Sequence, residues 1–321
     1  MAALPGHAAP EIIDLAEVRV EELEPLLEAE VSAWRQRLDW DYRPSADLVR
    51  RYVNMQALGG ACLIAQGELA GYTYYVAEDR KGLIGGLFVD DPFATTDNED
   101  ALIGAAVDGL RDCGARRIEA QLMMLRPPHR RALPRPECVR VHDRDFMVAD
   151  LTAMPRLRVG KANRTHVLET WTEQCHEEAA QLIALAYEHH VDSQINDQYQ
   201  TVWGARRFLS NIVAYPGCGS FFPAASFVAS NRHTGEMQGI SLASLVATDV
   251  GHITQICVMP SVKGRGVGYE LLRRCLEALK RHGCRKTSLT VTSSNDKAIQ
   301  LYERTGFART HQFAAYVWDG L

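Results

Sequence analysis

The chain has 321 residues, enough for about two domains. Its 46% hydrophobic and 23% charged composition can bury ordinary globular cores, and a formal net charge of −5 argues against a protein devoted to nucleic acid while slightly favouring cationic small substrates. The eight cysteines show no C-x-x-C spacing and sit mostly in apolar segments, so they read as reduced core thiols of a cytoplasmic protein, not as a disulfide framework or a zinc site. The opening “MAALPGHAAP” lacks the basic and apolar regions of a secretory signal, and no apolar run reaches the roughly 18 to 20 residues needed to span a membrane.

In chain order, the first informative stretch is residues 82–120, “GLIGGLFVDDPFATTDNEDALIGAAVDGLRDCGARRIEA”, which reads as strand, polar loop and helix. Residues 125–137, “LRPPHRRALPRPE”, carry four arginines. The segment has no aromatic residues on which bases could stack, and a solvated loop accounts for it without nucleic acid. Residues 152–166, “TAMPRLRVGKANRTH”, are polar and basic and read as a linker. Residues 186–208, “AYEHHVDSQINDQYQTVWGARRF”, gather Tyr187, His189, His190, Asp192, Asp197 and Tyr199 into a polar, acidic and aromatic stretch. Neighbouring histidines on a helix point in different directions, which disfavours a metal site at His189, His190 and Asp192.

A short β-branched strand follows at Ile253, Ile256, Cys257 and Val258, ended by Pro260. The glycine-rich loop “SVKGRGVG” then opens a helix whose apolar face is Leu271, Leu272, Cys275, Leu276 and Leu279, with Gly283 as C-cap. “RKTSLTVT” is the next strand, and “NDKAIQLYERTGF” a second helix with Asn295 at its N-cap and Gly306 at its C-cap. The loop is neither a P-loop, since G-K-[ST] is missing, nor a complete dinucleotide fingerprint, since Tyr269 stands where the third glycine belongs. What remains is a row of backbone amides at a positive helix end, flanked by Lys263 and Arg265, which suits a pyrophosphate. A tight turn that merely needs glycine is the other reading of the loop taken alone.

The two stretches together resemble the GNAT superfamily of acyl-CoA-dependent N-acyltransferases. Val258, Met259 and Pro260 match its V-x-P strand end. Lys263, Gly264, Arg265, Gly266, Val267 and Gly268 match its R/Q-x-x-G-x-G/A loop, with Lys in the first place. Asn295, Ala298, Leu301, Tyr302, Gly306 and Phe307 match its N-x-x-A-x-x-L-Y-x-x-x-G-F helix. The resemblance implies an α/β (α+β) fold, a twisted mixed sheet flanked by helices, and acetyl-CoA as co-substrate with no metal. It implies that the loop cradles the coenzyme A pyrophosphate, and that the pantetheine pairs with the strand at Ile256, Cys257 and Val258, one of whose amides polarises the thioester carbonyl. It makes Tyr302 the proton donor to the leaving thiolate, while Asn295 belongs to the cofactor-binding set. Many members carry Glu six residues before the strand-end valine; here that residue is His252. An imidazole suits proton removal from an amine. Asp249 is a second candidate, and the departure leaves the base open. The acceptor pocket is implied to lie at residues 186–208.

The first half carries a copy of the same pattern. Without a gap, Gly82 falls on Gly251, Val89 on Val258, Leu110 on Leu279, Gly114 on Gly283 and Arg116 on Arg285, each 169 positions on. The chemistry is lost: “ATTDNE” replaces the glycine loop and would repel a pyrophosphate, and Pro134 and Pro136 fall where the second helix should run. The expected organisation is a degenerate GNAT-like domain at 1–152, a linker at 153–166 and a catalytic domain at 167–321, two tandem domains resembling the mycothiol synthase type. The expected activity is acetyl transfer to the amine of a small molecule or peptide, without nucleic acid or membrane partners. A non-catalytic acyl-CoA sensor or a tandem-domain scaffold is the alternative. The acceptor, the acyl preference and the oligomeric state are not legible.

Overall fold

The computed structural model describes residues 10–215, 217 and 219–321, so the start of the chain and Cys218 lie outside the described residues. In chain order the elements are β1 (Glu11–Asp14), α1 (Val20–Leu38), α2 (Arg43–Asn54), β2 (Gly59–Ala65), β3 (Glu68–Glu78), β4 (Lys81–Val89), α3 (Thr96–Asp112), β5 (Arg117–Gln121) and β6 (Val139–Asp150). Then come β7 (His166–Thr170), α4 (His176–Ala186), α5 (Asp192–Ile195), α6 (Val202–Ala214), β8 (Ser220–Phe221), β9 (Phe227–Asn231), β10 (Met237–Ala247) and β11 (Val250–Val258). The chain closes with α7 (Val267–His282), β12 (Lys286–Thr292), α8 (Asp296–Arg304) and β13 (Phe307–Asp319). No helix among the described residues is long and apolar enough to cross a membrane.

Two compact units form, each a mixed sheet flanked by helices. The first runs to Leu38 and takes in Tyr42–Asp143 and Phe313–Leu321; the second is Asp39–Asp41 with Arg144–Gln312. In the first unit β1 to β4 are antiparallel neighbours, and β4 pairs with β5 in parallel. α3 buries Leu102, Ile103, Ala106, Val107 and Leu110 on one face of this sheet. On a separate core, α1 and α2 bury Leu23, Leu26, Leu27, Val49 and Val53 with Tyr72 and Phe88. In the second unit β7, β9, β10 and β11 are antiparallel, and β11 pairs with β12 in parallel. α7 buries the apolar face foreseen from its spacing, Leu271, Leu272, Cys275, Leu276 and Leu279, and ends at Gly283 in the left-handed region. α4 and α6 cover the core of Tyr187, Leu209, Ile240 and Leu242.

The repeat is structural as well as textual. β4 meets β5 from Lys81 opposite Arg117 to Ile84 opposite Ala120; β11 meets β12 from Val250 opposite Lys286 to Ile253 opposite Leu289, every residue shifted by the same 169 positions. A Cβ on Gly82 would meet Leu110 Cδ1 at 2.8 Å, and one on Gly251 would meet Leu279 Cδ1 at 2.8 Å, so both glycines are required by the same close approach of helix to strand. The closing strands are exchanged. Arg144–Asp150 of β6 pair antiparallel with β12 in the second unit, whereas Ala315–Asp319 of β13 pair with β5 in the first. Asp150 opposes Lys286, and its repeat partner Asp319 opposes Arg117, again in the same register.

In the first unit no helix forms between β5 and β6, as the prolines required. Leu133 is buried there, and the carbonyls of His129 and Pro134 accept from Tyr316 and Trp318. All four arginines of this loop have acidic partners: Arg126 with Asp91, Arg130 with Asp143, Arg131 with Glu99 and Asp100, and Arg135 with Asp108. Of the described cysteines, Cys62, Cys275 and Cys284 are buried, and Cys113 is exposed on the surface, not in the core expected from its apolar surroundings.

Candidate active site

β11 and β12 run together only as far as Ile253 and Leu289. Beyond that point β12 stays paired with β6, β11 stays paired with β10, and the two parallel strands part. Met259 N–H donates to Gln238 O on the β10 side. Backbone amides alternate along a strand, so those of Val258 and Ile256 face the open edge. Val258 N–H is the free one. Ile256 N–H is taken by the side-chain Oε1 of Gln255 at 3.1 Å.

The open edge leads into the glycine loop. Gly264 and Gly266 have φ of 78° and 86°, a region that other residues enter only under strain, and a Cβ at either would meet nothing within 4 Å. Backbone dihedral, not crowding, demands glycine there, and the space above is open. The first bond of α7 runs from Glu270 N to Gly266 O, which leaves the N–H groups of Val267, Gly268 and Tyr269 outside the helical ladder. Val267 contributes only its backbone, because its side chain is buried in the core. Arg265 is exposed in the loop, and Lys263 reaches Ala186 O at the end of α4 at 3.4 Å.

Tyr302 stands on α8 with its ring buried, and among the described residues no group accepts its hydroxyl proton. Burial, then the charge of Asp192, raise its pKa well above the ordinary phenol value, so it stays protonated. Asn295 caps α8 by accepting from Ala298 N–H at 3.3 Å, and its Nδ2 lies 3.4 Å from His190 Nε2. Residues 186–208 contribute a compact cluster. Asp192 N–H donates to His190 Nδ1 at 3.2 Å, and the Asp192 carboxylate accepts from Thr292 and from Arg144 at 3.2 Å. Arg144 also donates to Thr290 and Thr292, each at 3.1 Å. Tyr187 stacks on Tyr199 at 4.4 Å and meets His190 edge-on at 5.2 Å. Burial lowers the pKa of His190 from its ordinary value and leaves it a neutral base at neutral pH.

The two bases suggested by sequence are placed elsewhere. His252 is 4% exposed, with Nδ1 2.9 Å from Ser288 Oγ, Trp40 edge-on at 4.9 Å and Phe146 stacked at 6.4 Å. Burial alone lowers its pKa to about 3. Asp249 precedes β11 at the end away from the loop and is engaged by Arg285. His189 is exposed at a positive φ of 58°, whereas His190 turns inward, so the pair does not converge. Burial pushes the Cys257 thiol up, which keeps it neutral among the α4 and α6 side chains. Sequence reasoning missed Arg144, Thr290, Thr292 and Gln255, which carry no motif. The alternation of threonines in “TSLTVT” places Thr290 and Thr292 on one face and was the one available signal.

Residues 171–307 match the acetyltransferase (GNAT) family. They form a GNAT acetyltransferase domain. N-alpha-acetyltransferase MAK3 of Arabidopsis thaliana is 26% identical over 159 residues, 46% of this chain and 77% of that protein. Mycothiol acetyltransferase of Renibacterium salmoninarum is 28% identical over 94 residues, 28% of each chain. Among solved structures, a GCN5-related N-acetyltransferase of Sphaerobacter thermophilus superposes with a TM-score of 0.66 at 19% identity, covering 97% of both chains. A tandem GNAT protein from the clavulanic acid biosynthesis pathway gives 0.58 at 13% identity over 98% of this chain and 99% of its own. The GNAT fold thus extends over both units, while the family's sequence pattern is confined to the second.

Proposed function

We propose that the protein is an acetyl-CoA-dependent N-acetyltransferase with one working site, in the second unit. The observation that carries this is the open edge of β11 running into the glycine turn at α7, with Tyr302 in the core against which Val258 packs and its hydroxyl without an acceptor among the described residues. The residues fit coenzyme A, which would supply the activated acyl group as a thioester. Val258 offers a backbone amide to an extended pantetheine. Gly264, Gly266, Val267 and Gly268 offer uncrowded backbone to a pyrophosphate, with Lys263 and Arg265 as countercharge. Tyr302 delivers its proton to the departing sulfur.

We assign proton removal from the acceptor amine to His190, not to the buried His252. His190 is half-buried in residues 186–208; its Nδ1 takes the Asp192 N–H at 3.2 Å and gives up that bond on taking the amine's proton, the imidazolium then facing the Asp192 carboxylate 3.7 Å away, whereas an imidazole with a pKa of about 3 is a weak base at neutral pH. The amine belongs to a small molecule or a peptide, the two kinds of acceptor suggested by the names of the relatives. The first unit binds no coenzyme A, and the linear boundary at 153–166 marks where the two copies were joined. Free cysteines support a reducing, cytoplasmic setting. Thiol release from acetyl-CoA with a panel of amines tests the assignment: turnover is expected. Tight binding without turnover would make the protein a sensor, and no binding would leave a scaffold.

A further inference from the structure

Gln255 sits on the α4 face of β11, three residues before the strand-end valine, and is 5% exposed. Its side-chain oxygen accepts from two groups, Ile256 N–H at 3.1 Å and Tyr187 Oη at 2.9 Å. A backbone N–H can only donate, so this bond fixes which end of the amide is oxygen and excludes a flipped assignment. The other end, Nε2, is therefore an amide nitrogen with two N–H donors, buried and without a partner among the described residues. A buried donor left unpaired is costly, and such groups are kept where something arrives to satisfy them. The surroundings say where. Tyr187, whose hydroxyl holds Gln255, stacks on Tyr199 at 4.4 Å and meets His190 edge-on at 5.2 Å, which places the amide beside the side chains of residues 186–208.

We infer that Gln255 is a specificity-determining residue that donates from Nε2 to an oxygen carried next to the acceptor's amine. This rests on the acetyltransferase reading and narrows its substrate class to amines with an oxygen on a neighbouring carbon, either the carbonyl of an α-aminoacyl group or the hydroxyl of an aminosugar. Two bonds hold the amide's oxygen end in place, so the N–H pair is oriented before the acceptor arrives and little ordering is left to the binding step. An acceptor lacking the oxygen would leave the donors buried and unpaired, and this is the strongest form of discrimination that a site of this kind can exert.

The test compares matched amines with full-length protein: L-phenylalaninamide against 2-phenylethylamine, and glucosamine against cyclohexylamine, each at saturating acetyl-CoA. The wild type is expected to favour the oxygen-bearing member of one pair, and which pair identifies the source of the oxygen. In Gln255→Met the ratio of kcat/KM within that pair should fall by roughly 5- to 150-fold. Because the ratio is taken within one preparation, partial misfolding cancels, and coenzyme A affinity by calorimetry reports separately on the integrity of the fold. A wild type that turns over all four amines without preference overturns the inference and leaves the acetyltransferase reading intact. So does a variant that loses activity equally on both members of the pair, which would place Gln255 on the thioester. A wild type that consumes no acetyl-CoA with any amine overturns the acetyltransferase reading instead.

Discussion

The two strand-to-helix turns, Val89 to Thr96 in the first unit and Val258 to Val267 in the second, descend from one pattern and solve the same electrostatic problem in opposite ways. Both leave amides at the positive end of a helix. In the second unit the turn is glycine in the left-handed region, and a Cβ at Gly264 or Gly266 would meet nothing within 4 Å. In the first, Thr95 accepts from Asn98 N–H, and the acids Asp97 and Glu99 occupy the first turn. Glu99 is buried and engages Arg131 at 2.8 Å and Arg126 N–H at 3.0 Å. The first unit thus carries acids of its own in the first turn of the helix, and the second carries glycine at the corresponding turn. The two units keep the same strand register with different turns, so register and helix packing do not depend on the residues of the turn.

The comparison is broken most severely at the acid. Tyr302→Phe should lower turnover by roughly 10 to 10⁴-fold with coenzyme A binding retained, whereas the repeat-related Leu133→Ala should affect only thermal stability. Full activity in Tyr302→Phe would reduce Tyr302 to a packing residue. Gly266→Val forces a branched side chain into a φ of 86° and should weaken coenzyme A binding by roughly 100-fold or more by calorimetry. Asp97→Val, at the equivalent place, should leave affinity and a stoichiometry of one unchanged; two tight sites in the wild type would erase the asymmetry.

Stability should depend on pH with opposite sign in the two units. Glu30 of the first is buried, accepting from Trp34 Nε1 at 3.1 Å and from the Tyr72 hydroxyl, and burial raises its pKa to about 7. The folded form holds a proton that the unfolded chain gives up near 4.5, so this contribution is full below pH 4.5 and lost as pH rises through 7. Glu30→Gln should recover up to roughly 3 kcal/mol at pH 8, read as a flattened dependence of Tm on pH. His252 of the second unit is held neutral to about pH 3, while the unfolded imidazole charges near 6.5. Its penalty therefore appears as pH falls from 6.5 towards 3, and His252→Phe should remove it without moving the rate profile. The smallest effect is kinetic. The acidic limb of the rate profile should lie below pH 6.5, and His190→Ala should abolish that limb while the Tyr302 limb remains above pH 10. A limb that survives in His190→Ala would return the base to water or to another group.

The cofactor side of the site was legible because it is local. The glycine loop, its helix and the Asn295 to Phe307 helix each lie within a short run of sequence, and their dihedral and capping demands restrict the residue types allowed. The acceptor side was not. Arg144 lies 48 positions from Asp192 and 148 from Thr292, so no window of sequence contains the cluster. His252 was a candidate because it stands where many members carry Glu; Trp40, from a distant loop of the same unit, packs edge-on against it. The orphaned amide of Gln255 depends on which of its two ends Ile256 N–H engages, a matter of side-chain rotamer that composition and spacing do not report.

The exchanged closing strands make the gene difficult to divide. A chain stopped at residue 160 would keep β5 but lack the Ala315–Asp319 strand that lines its flank, while carrying Arg144–Asp150 with no β12 to receive it. Such a fragment would leave the flank of β5 unpaired and Arg144–Asp150 without its neighbour. Residues 144–150, which lie in the first half of the sequence, thereby finish the sheet of the second unit, and residues 315–319 that of the first.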